Sequence, residues 1–239
     1  MIKTAFAFLY VAISMIFLVP FGLIITVLHI FGLRKAMEQA FLRIAQGWAL
    51  LVIKVTGCKV TVTGREYVPK KGSVCFVSNH GGYFDIVLLL AYCGRQIGFI
   101  AKKELLFVPL VNYWIFMVGG LFIDRGSVKQ AIRTINKGVK RIKSGGCMII
   151  FPEGHRSKEK RLLPFHPGSL KLATMAEAPI VPVALEGSYD VFEKRGRVVS
   201  SSLKVTFCEP IDTASLPSED RKIILCDKIY GVIKEKLGV

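Results

Sequence analysis

The stretch from Thr4 to Leu33 contains no Asp, Glu, Lys or Arg, and it constrains the fold more than any other part of the chain. As one helix it would be about 45 Å long, whereas roughly 20 apolar residues are enough to cross a bilayer core. The stretch is too long for the apolar region of a signal peptide and has no clear A-x-A cleavage site. Its length also disfavours the competing interpretation, a helix buried in a soluble core. We therefore expect a membrane-associated segment.

The apolar stretch is not expected to form one straight helix. Pro20 and Gly22 lie near its middle, where a kink or a break is predicted. Arg34 and Lys35 close the stretch, and residues 36–55 predict a second helix with few polar positions. Two such helices can dip into one leaflet as a hairpin or cross the bilayer, and the sequence leaves both arrangements open. Residues 1–56 are therefore predicted to form an N-terminal two-helix motif that binds the membrane.

The charge of the chain indicates an anionic partner. Lys and Arg together number 33 and Asp and Glu 17, which gives a formal charge of +16. Nucleic acid, a phosphate-bearing substrate and an acidic membrane surface would each suit this excess. The apolar N-terminus favours the membrane, and we expect no nucleic-acid partner. Six cysteines without C-x-x-C spacing indicate reduced thiols and a cytoplasmic compartment.

After Gly57 the chain alternates between strand-like and helical patterns. Strands are predicted at residues 59–64, 74–78, 96–101, 121–124, 147–151, 179–185 and 198–207. Because helices separate these apolar runs, residues 57–239 predict a layered α/β domain with a mostly parallel central sheet. Pro182 lacks an N–H, so its strand is expected to lie at a sheet edge or to contain a bulge.

The strand at 74–78 runs into a turn that carries His80, and a helix follows from Tyr83. Asp85 then falls in the first helical turn, where a carboxylate is favoured. From these positions the carboxylate can accept a hydrogen bond from one imidazole nitrogen and leave the other as a base. No serine nucleophile of the G-x-S-x-G type is present, so a substrate hydroxyl would supply the attacking oxygen. The same two residues also fit a simple helix cap and a polar loop residue.

Basic residues follow several predicted strands, where open α/β sheets bind ligands. Lys102 and Lys103 follow one strand, Arg125 another and Arg156 a third. A single surface lysine is usually only solvated, but four cations at equivalent positions predict a phosphate clamp, with the arginines ranked first because they bind phosphate through two donors. Glu153, also after a strand, could bond a substrate hydroxyl or pair with an arginine. No metal-ligand cluster or phosphate-binding glycine loop is evident, so we expect no metal and no cofactor.

Taken together, these stretches resemble the glycerolipid acyltransferase family, and within it the lysophosphatidic acid acyltransferases. The matching region spans about residues 56–210. Its blocks occur in family order: Asn79-His80-x4-Asp85, Ala101–Leu105, Gly120–Arg125, Phe151–Ser157 and Ile180–Leu185. A single H-x4-D is weak, but the ordered set is highly specific. One residue departs from the family: His155 stands where threonine is usual.

The resemblance implies catalytic roles for His80 and Asp85, and binding of the acyl acceptor by Arg125, Glu153, Gly154 and Arg156. It implies an acyl thioester donor, carried on acyl carrier protein or coenzyme A as co-substrate. It also implies attachment through the apolar N-terminal helices, with a hairpin in one leaflet as the favoured arrangement for a bacterial member. The expected location is the cell inner or plasma membrane, at its cytoplasmic face.

Three hypotheses follow. In the first, His80 removes the proton of the sn-2 hydroxyl of lysophosphatidic acid, and the oxygen attacks the thioester to give phosphatidic acid. Backbone N–H groups near the start of the helix after Gly82 are the expected donors to the developing oxyanion. In the second, a related enzyme acts on glycerol 3-phosphate or another lysophospholipid. In the third, a non-catalytic membrane protein binds anionic lipid, or nucleic acid, through its basic surface.

Overall fold

A computed structural model of the chain describes residues 1–31, 34–157, 159, 161–213 and 221–239. The strands are β1 Lys59–Thr63, β2 Val74–Ser78, β3 Ile97–Lys102, β4 Leu121–Ile123, β5 Cys147–Ile150, β6 Ile180–Glu186 and β7 Ser202–Phe207. The helices are α1 Ile2–Phe17, α2 Val19–Ile30, α3 Arg34–Thr56, α4 Phe84–Tyr92, α5 Val111–Met117, α6 Val128–Lys143, α7 Lys171–Ala176, α8 Ser188–Val191 and α9 Arg221–Leu237. The start of the last helix, predicted at Ser218, lies outside the described residues.

Within the described part of the chain, the strands form one seven-stranded sheet in the order β1-β7-β6-β2-β5-β3-β4. The five strands from β6 to β4 are mutually parallel, whereas β7 is antiparallel to β6 and β1 is parallel to β7. The prediction of a layered α/β domain with a mostly parallel central sheet is therefore confirmed. Parallel strands all end on the same side of a sheet. The loops after β2, β3, β4 and β5 therefore lie together at the carboxyl ends of these strands, here called the carboxyl edge of the sheet.

Both faces of the sheet are covered, which explains why its strands read as apolar runs. Along β2, Val74 and Phe76 pack into a core that includes residues of α3 and α4. Cys75 and Val77 point to the opposite face, where α6, α7 and α9 supply the second core. With side chains alternating between two apolar layers, every residue of β2 is buried. The strand that leads into His80 is therefore fixed on both sides.

The prediction that Pro182 marks an edge or bulged strand is wrong, because β6 lies inside the sheet between β7 and β2. The carbonyl of Pro182 accepts a hydrogen bond of 2.9 Å from the Cys208 N–H. Along a strand, the N–H and C=O of one residue point to the same side, so the missing donor of Pro182 faces β7. Since β7 ends at Phe207, the proline lies where that ladder stops and little pairing is lost.

The apolar N-terminus forms two helices that break at Leu18, as the nearby Pro20 predicts. Both pack against α3, and α3 packs against α4. Residues Ile2–Leu28 are long and apolar enough to span a membrane, and an 18-residue window within them has a mean hydropathy of 2.7. Large side chains on the outer face of α1 and α2, such as Phe17 and Phe21, are more than half exposed at 73% and 53%. This outer face is the surface expected of a membrane-associated segment.

Candidate active site

His80 and Asp85 converge at the carboxyl edge of the sheet. The imidazole Nδ1 lies 2.7 Å from Asp85 Oδ2. Asp85 is in the first turn of α4, and the turn between β2 and α4 places His80 opposite it. Asp85 is fully buried, whereas the His80 side chain keeps 18% of its surface exposed. Asp85 is therefore inaccessible to solvent, whereas His80 is partly accessible.

The hydrogen bonds of Asp85 define how His80 can act. Asp85 Oδ2 also accepts from the Gly82 N–H at 3.0 Å, so the carboxylate is held by the turn it closes. An ionised carboxylate can only accept, which places the imidazole proton on Nδ1 and leaves Nε2 with a free lone pair. This is the arrangement of a general base whose protonated form is stabilised by a neighbouring carboxylate.

The loop after β5 holds His80 from the other side. The ring of Phe151 stacks on the imidazole with centroids 4.1 Å apart and planes at 21°. The His80 N–H donates to Glu153 Oε1 at 2.6 Å, and the His80 carbonyl accepts from the Ser157 N–H at 2.8 Å. Both backbone polar groups and one ring face of the histidine are thus fixed by a single neighbouring loop.

Glu153 is placed as a support for His80. Its side chain is buried, and its second oxygen accepts from the Leu163 N–H at 3.1 Å. Burial raises the pKa of this carboxyl to about 7, against the lowering effect of the two backbone N–H donors. Each oxygen therefore accepts from one backbone donor, and the side chain is sealed from solvent in this structure.

Gly154 and His155 complete this loop. Gly154 has a φ of +75°, a conformation that favours glycine, and its N–H donates to the Phe151 carbonyl at 3.1 Å. The glycine therefore shapes the turn that presents Glu153 to His80. His155, the departure from the family pattern, is exposed on the outer side of the same turn.

Arg156 lies beside the histidine loop and is held by two groups. Its guanidinium carbon is 3.7 Å from the centroid of the Tyr83 ring. Its Nη1 donates to Glu193 Oε1 at 3.2 Å, and the same oxygen accepts from the Tyr83 N–H at 2.6 Å. Arg156 is thus fixed next to the start of α4, within the neighbourhood of His80.

The remaining predicted cations are further from His80. By strand order, β3 and β4 lie two and three strands from β2, which is roughly 10 and 14 Å across the sheet. The side chains of Lys102 and Arg125 are exposed and make no hydrogen bond or ion pair with a described residue. Lys103 donates to Asp124 at 2.9 Å, and this hydrogen bond raises the pKa of Lys103 and lowers that of Asp124. Of the four cations predicted as one clamp, only Arg156 adjoins His80.

Two backbone N–H groups near the start of α4, where the oxyanion donors are expected, already have acceptors. The Gly82 N–H is bonded to Asp85 and the Tyr83 N–H to Glu193. Neither donor is free to stabilise an oxyanion in this arrangement. Among the described residues, moreover, no three His, Cys, Asp or Glu side chains form a group that could hold a metal ion.

Two further residues of the site have structural roles that the sequence does not predict, although Asn79 belongs to the first block of the family resemblance. Asn79 continues the ladder between β2 and β6 with its side chain, accepting from the Leu185 N–H at 2.8 Å and donating to the Leu185 carbonyl at 2.9 Å. Glu193 follows α8 and reaches the site from more than 100 residues away in sequence. An asparagine before a turn is ordinary turn chemistry, and a lone glutamate in a loop is typical of a solvated surface. Only the packing of β6 and α8 reveals either role.

Comparisons with known proteins agree with this geometry. The family model described as acyltransferase matches residues 59–186. The chain is 31% identical to the 1-acyl-sn-glycerol-3-phosphate acyltransferase of Borreliella burgdorferi over 77% of this chain and 73% of that protein. It is 28% identical to the chloroplastic enzyme BAT2 of Brassica napus, but there the match covers 82% of this chain and only 56% of the relative. The chain thus spans about half the length of the plant relatives that it matches.

A solved structure extends the match to the whole chain. The crystal structure of the 1-acyl-sn-glycerophosphate acyltransferase PlsC from Thermotoga maritima superposes with a TM-score of 0.86 at 26% sequence identity. The match covers 99% of this chain and 94% of the other, so it includes the N-terminal helices as well as the sheet.

Proposed function

The chain belongs to the acyltransferase family, and from that premise we propose that it moves a fatty acyl group from an acyl thioester to the sn-2 hydroxyl of lysophosphatidic acid, giving phosphatidic acid. The observation that carries this proposal is the 2.7 Å contact between His80 Nδ1 and Asp85 Oδ2 at an open edge of the sheet. A nucleophilic side chain is not required, because the acceptor hydroxyl supplies the attacking oxygen.

The chemistry follows from the position of the imidazole. His80 Nε2 takes the proton of the sn-2 hydroxyl while its oxygen bonds to the thioester carbonyl carbon. When the C–S bond breaks, the imidazolium returns the proton to the departing thiolate, which leaves as the free thiol of acyl carrier protein or coenzyme A. Asp85 remains ionised throughout and stabilises the imidazolium. Each turnover therefore consumes one thioester and releases one thiol.

Acceptor binding is assigned to the cations around this edge. Arg156, stacked on Tyr83 beside His80, presents its remaining guanidinium donors to the acceptor phosphate. The side chains of Arg125 and Lys102 are exposed and make no hydrogen bond or ion pair with a described residue, so they add positive potential further along the edge. Lys103 contributes less, because Asp124 pairs with it. Glu153 and Gly154 act on the acceptor indirectly, by fixing the loop that carries Arg156.

Membrane attachment is assigned to α1 and α2. Their exposed apolar face suits the acyl region of a bilayer, and their packing on α3 connects them to the domain that carries the site. Inner or plasma membrane attachment with the site at the cytoplasmic face agrees with the six free cysteines. In this placement the acceptor diffuses to His80 within the leaflet.

An acceptor panel tests the function. Purified protein is incubated with labelled acyl thioester, carried on acyl carrier protein or coenzyme A. The acceptors are lysophosphatidic acid, glycerol 3-phosphate, a neutral lysophospholipid and monoacylglycerol. We expect phosphatidic acid from lysophosphatidic acid, with one thiol released per product. Product formed chiefly from glycerol 3-phosphate or the lysophospholipid would reassign the acceptor, and absence of thiol release with every acceptor would contradict an enzymatic role.

A further inference from the structure

A second exposed apolar surface lies on the far side of α5 from α1, in residues 105–108; this segment, which includes the end of a short 3-10 helix, is here called the apolar loop. Phe107 is 80% exposed, and the flanking Leu106 and Val108 are 47% and 41% exposed. The loop follows β3, so it projects from the same edge of the sheet that carries His80. Contiguous exposed apolar side chains on a folded domain usually mark a contact surface.

Helix α5 joins the apolar loop to the N-terminal helices. Asn112 Nδ2 donates to the Leu106 carbonyl at 2.8 Å. On the other side of the helix, Trp114 Nε1 donates to the carbonyl of Met15 in α1 at 3.2 Å. Phe116, also on α5, is 70% exposed. The exposed apolar surface of the N-terminal helices thus continues across α5 to the loop.

The continuity of the apolar loop with the N-terminal helices identifies its partner. Lys102 and Lys103 precede the loop, but exposed Glu104 and the pairing of Lys103 with Asp124 offset their charge. An exposed apolar tip beside helices with an exposed apolar face suits the boundary between headgroups and acyl chains of a bilayer. We propose that the apolar loop is a second membrane contact, which inserts Phe107 into the leaflet beside the site. The proposal rests on the membrane attachment proposed above and adds that the domain itself touches lipid.

Tryptophan scanning tests the position of the loop. Phe107→Trp is compared with Phe21→Trp on α2 and with Met175→Trp, whose 45% exposed side chain lies on α7 at the opposite face of the sheet. Each full-length variant is reconstituted into vesicles of brominated phosphatidylcholine and phosphatidylglycerol, and the quenching of the wild-type Trp48 and Trp114 is subtracted. We expect F107W to be quenched as strongly as F21W, and M175W to remain unquenched.

The controls separate this inference from the proposal beneath it. Quenching of F107W no stronger than that of M175W, with F21W quenched, would overturn the loop contact alone. If F21W is also unquenched, the membrane attachment fails and the loop contact fails with it. Since the measurement reads distance to lipid, it does not depend on turnover or on the identity of the acceptor.

A separate observation concerns Glu193. Its carboxylate is buried against Gly82, and only 9% of the side chain is exposed. Oε1 accepts hydrogen bonds from both the Tyr83 N–H and the Arg156 guanidinium. Oε2, which is also buried, has no hydrogen-bond partner among the described residues. A buried carboxylate with an unbonded oxygen lowers the stability of the fold. Its presence here therefore suggests a functional role for Glu193.

We infer that Glu193 is a positioning residue for Arg156. It holds the guanidinium over the Tyr83 ring before the acceptor arrives, so that binding the phosphate does not have to immobilise a long, flexible side chain. This inference rests on the proposed function of Arg156 as a phosphate ligand. It predicts that the effect of Glu193 appears in KM for the acceptor and requires Arg156.

Four variants test the inference. Glu193→Ala should raise KM for lysophosphatidic acid by roughly 2- to 10-fold, the range expected when one such side chain is freed. Glu193→Gln retains an acceptor oxygen and should restore most of the wild-type KM. In an Arg156→Ala background, Glu193→Ala should raise KM no further, whereas a merely structural role would add its effect to that of R156A.

Other outcomes are equally decisive. A lower KM in both E193A and E193Q would show that the carboxylate competes with the phosphate, and would overturn positioning. An increase in KM for R156A without one for E193A would overturn the role of Glu193 but retain the clamp. An unchanged KM in R156A would remove the clamp itself and the inference with it.

Discussion

The loops that follow β2 and β5 lie side by side, yet they contribute different things to the site. The first supplies the His80 imidazole and leads into the helix whose carboxylate bonds its Nδ1 at 2.7 Å. The second supplies Phe151 against the ring and Glu153 against the His80 N–H. Asp85 and Glu153 are both buried carboxylates that bond the same histidine. Because one bonds the ring nitrogen and the other the backbone N–H, we expect Asp85 to affect the chemistry and Glu153 to fix the geometry.

The largest effect is expected from the loop after β2. His80→Ala removes the base, which should lower kcat by about 1000-fold, within the range for general-base catalysis. Thiol release measures the rate. Because the substitution also removes the stacking on Phe151 and a hydrogen bond to buried Asp85, the melting temperature should fall, and circular dichroism at the assay temperature checks that H80A is folded. An H80A protein with near-normal turnover would mean that the two loops have been assigned the wrong roles.

Asp85→Asn separates the charge of the carboxylate from its shape. Asp85 Oδ2 bonds both the Gly82 N–H and His80 Nδ1, so an amide oxygen in that place keeps both hydrogen bonds and the imidazole tautomer. What the substitution removes is the negative charge that would stabilise the imidazolium. We expect kcat to fall by on the order of 100-fold or more, with KM for the acceptor changed little. Near-normal kcat in D85N would argue against stabilisation by the carboxylate charge.

Glu153→Ala probes the supporting loop. It leaves the His80 and Leu163 N–H groups without their acceptor, which should cost about 1–3 kcal/mol for each buried donor. We expect a lower melting temperature and a reduced kcat, with KM for lysophosphatidic acid nearly unchanged. Glu159→Gln, in the same loop, alters a carboxylate that is 58% exposed and serves as the matched control. A selective rise in KM for E153A would instead place Glu153 in contact with the acceptor.

The smallest effect concerns pH. Burial raises the pKa of Glu153 to about 7, whereas an unfolded glutamate titrates near 4.5. The folded state therefore binds the proton more tightly, and this stabilisation is complete below about pH 4.5 and is lost as pH rises through about 7. The melting temperature of the wild type should fall relative to Glu153→Gln across that interval. A constant difference between the two proteins would show that the carboxyl does not titrate there.

Much of the fold could be predicted because its signals are local. The apolar run before Arg34, its break near Pro20 and the alternation of strands and helices each depend on a few consecutive residues. Pro182 shows the limit of such reasoning. A proline, which lacks an N–H, indicates an edge strand only if an interior strand would need that N–H for pairing. At Pro182 the N–H is not needed, because the pairing of β6 with β7 ends at Phe207.

The sequence by itself determined that His80 and Asp85 meet, because they lie within one strand–turn–helix unit and local geometry brings them together. Only the tertiary structure decided what surrounds them. Glu153 turns inward to the backbone, and Glu193 accepts hydrogen bonds from Arg156, 37 residues away in sequence, and from the Tyr83 N–H, 110 residues away. Such contacts depend on the order of strands in the sheet and on the packing of its loops, which spacing along the chain does not specify.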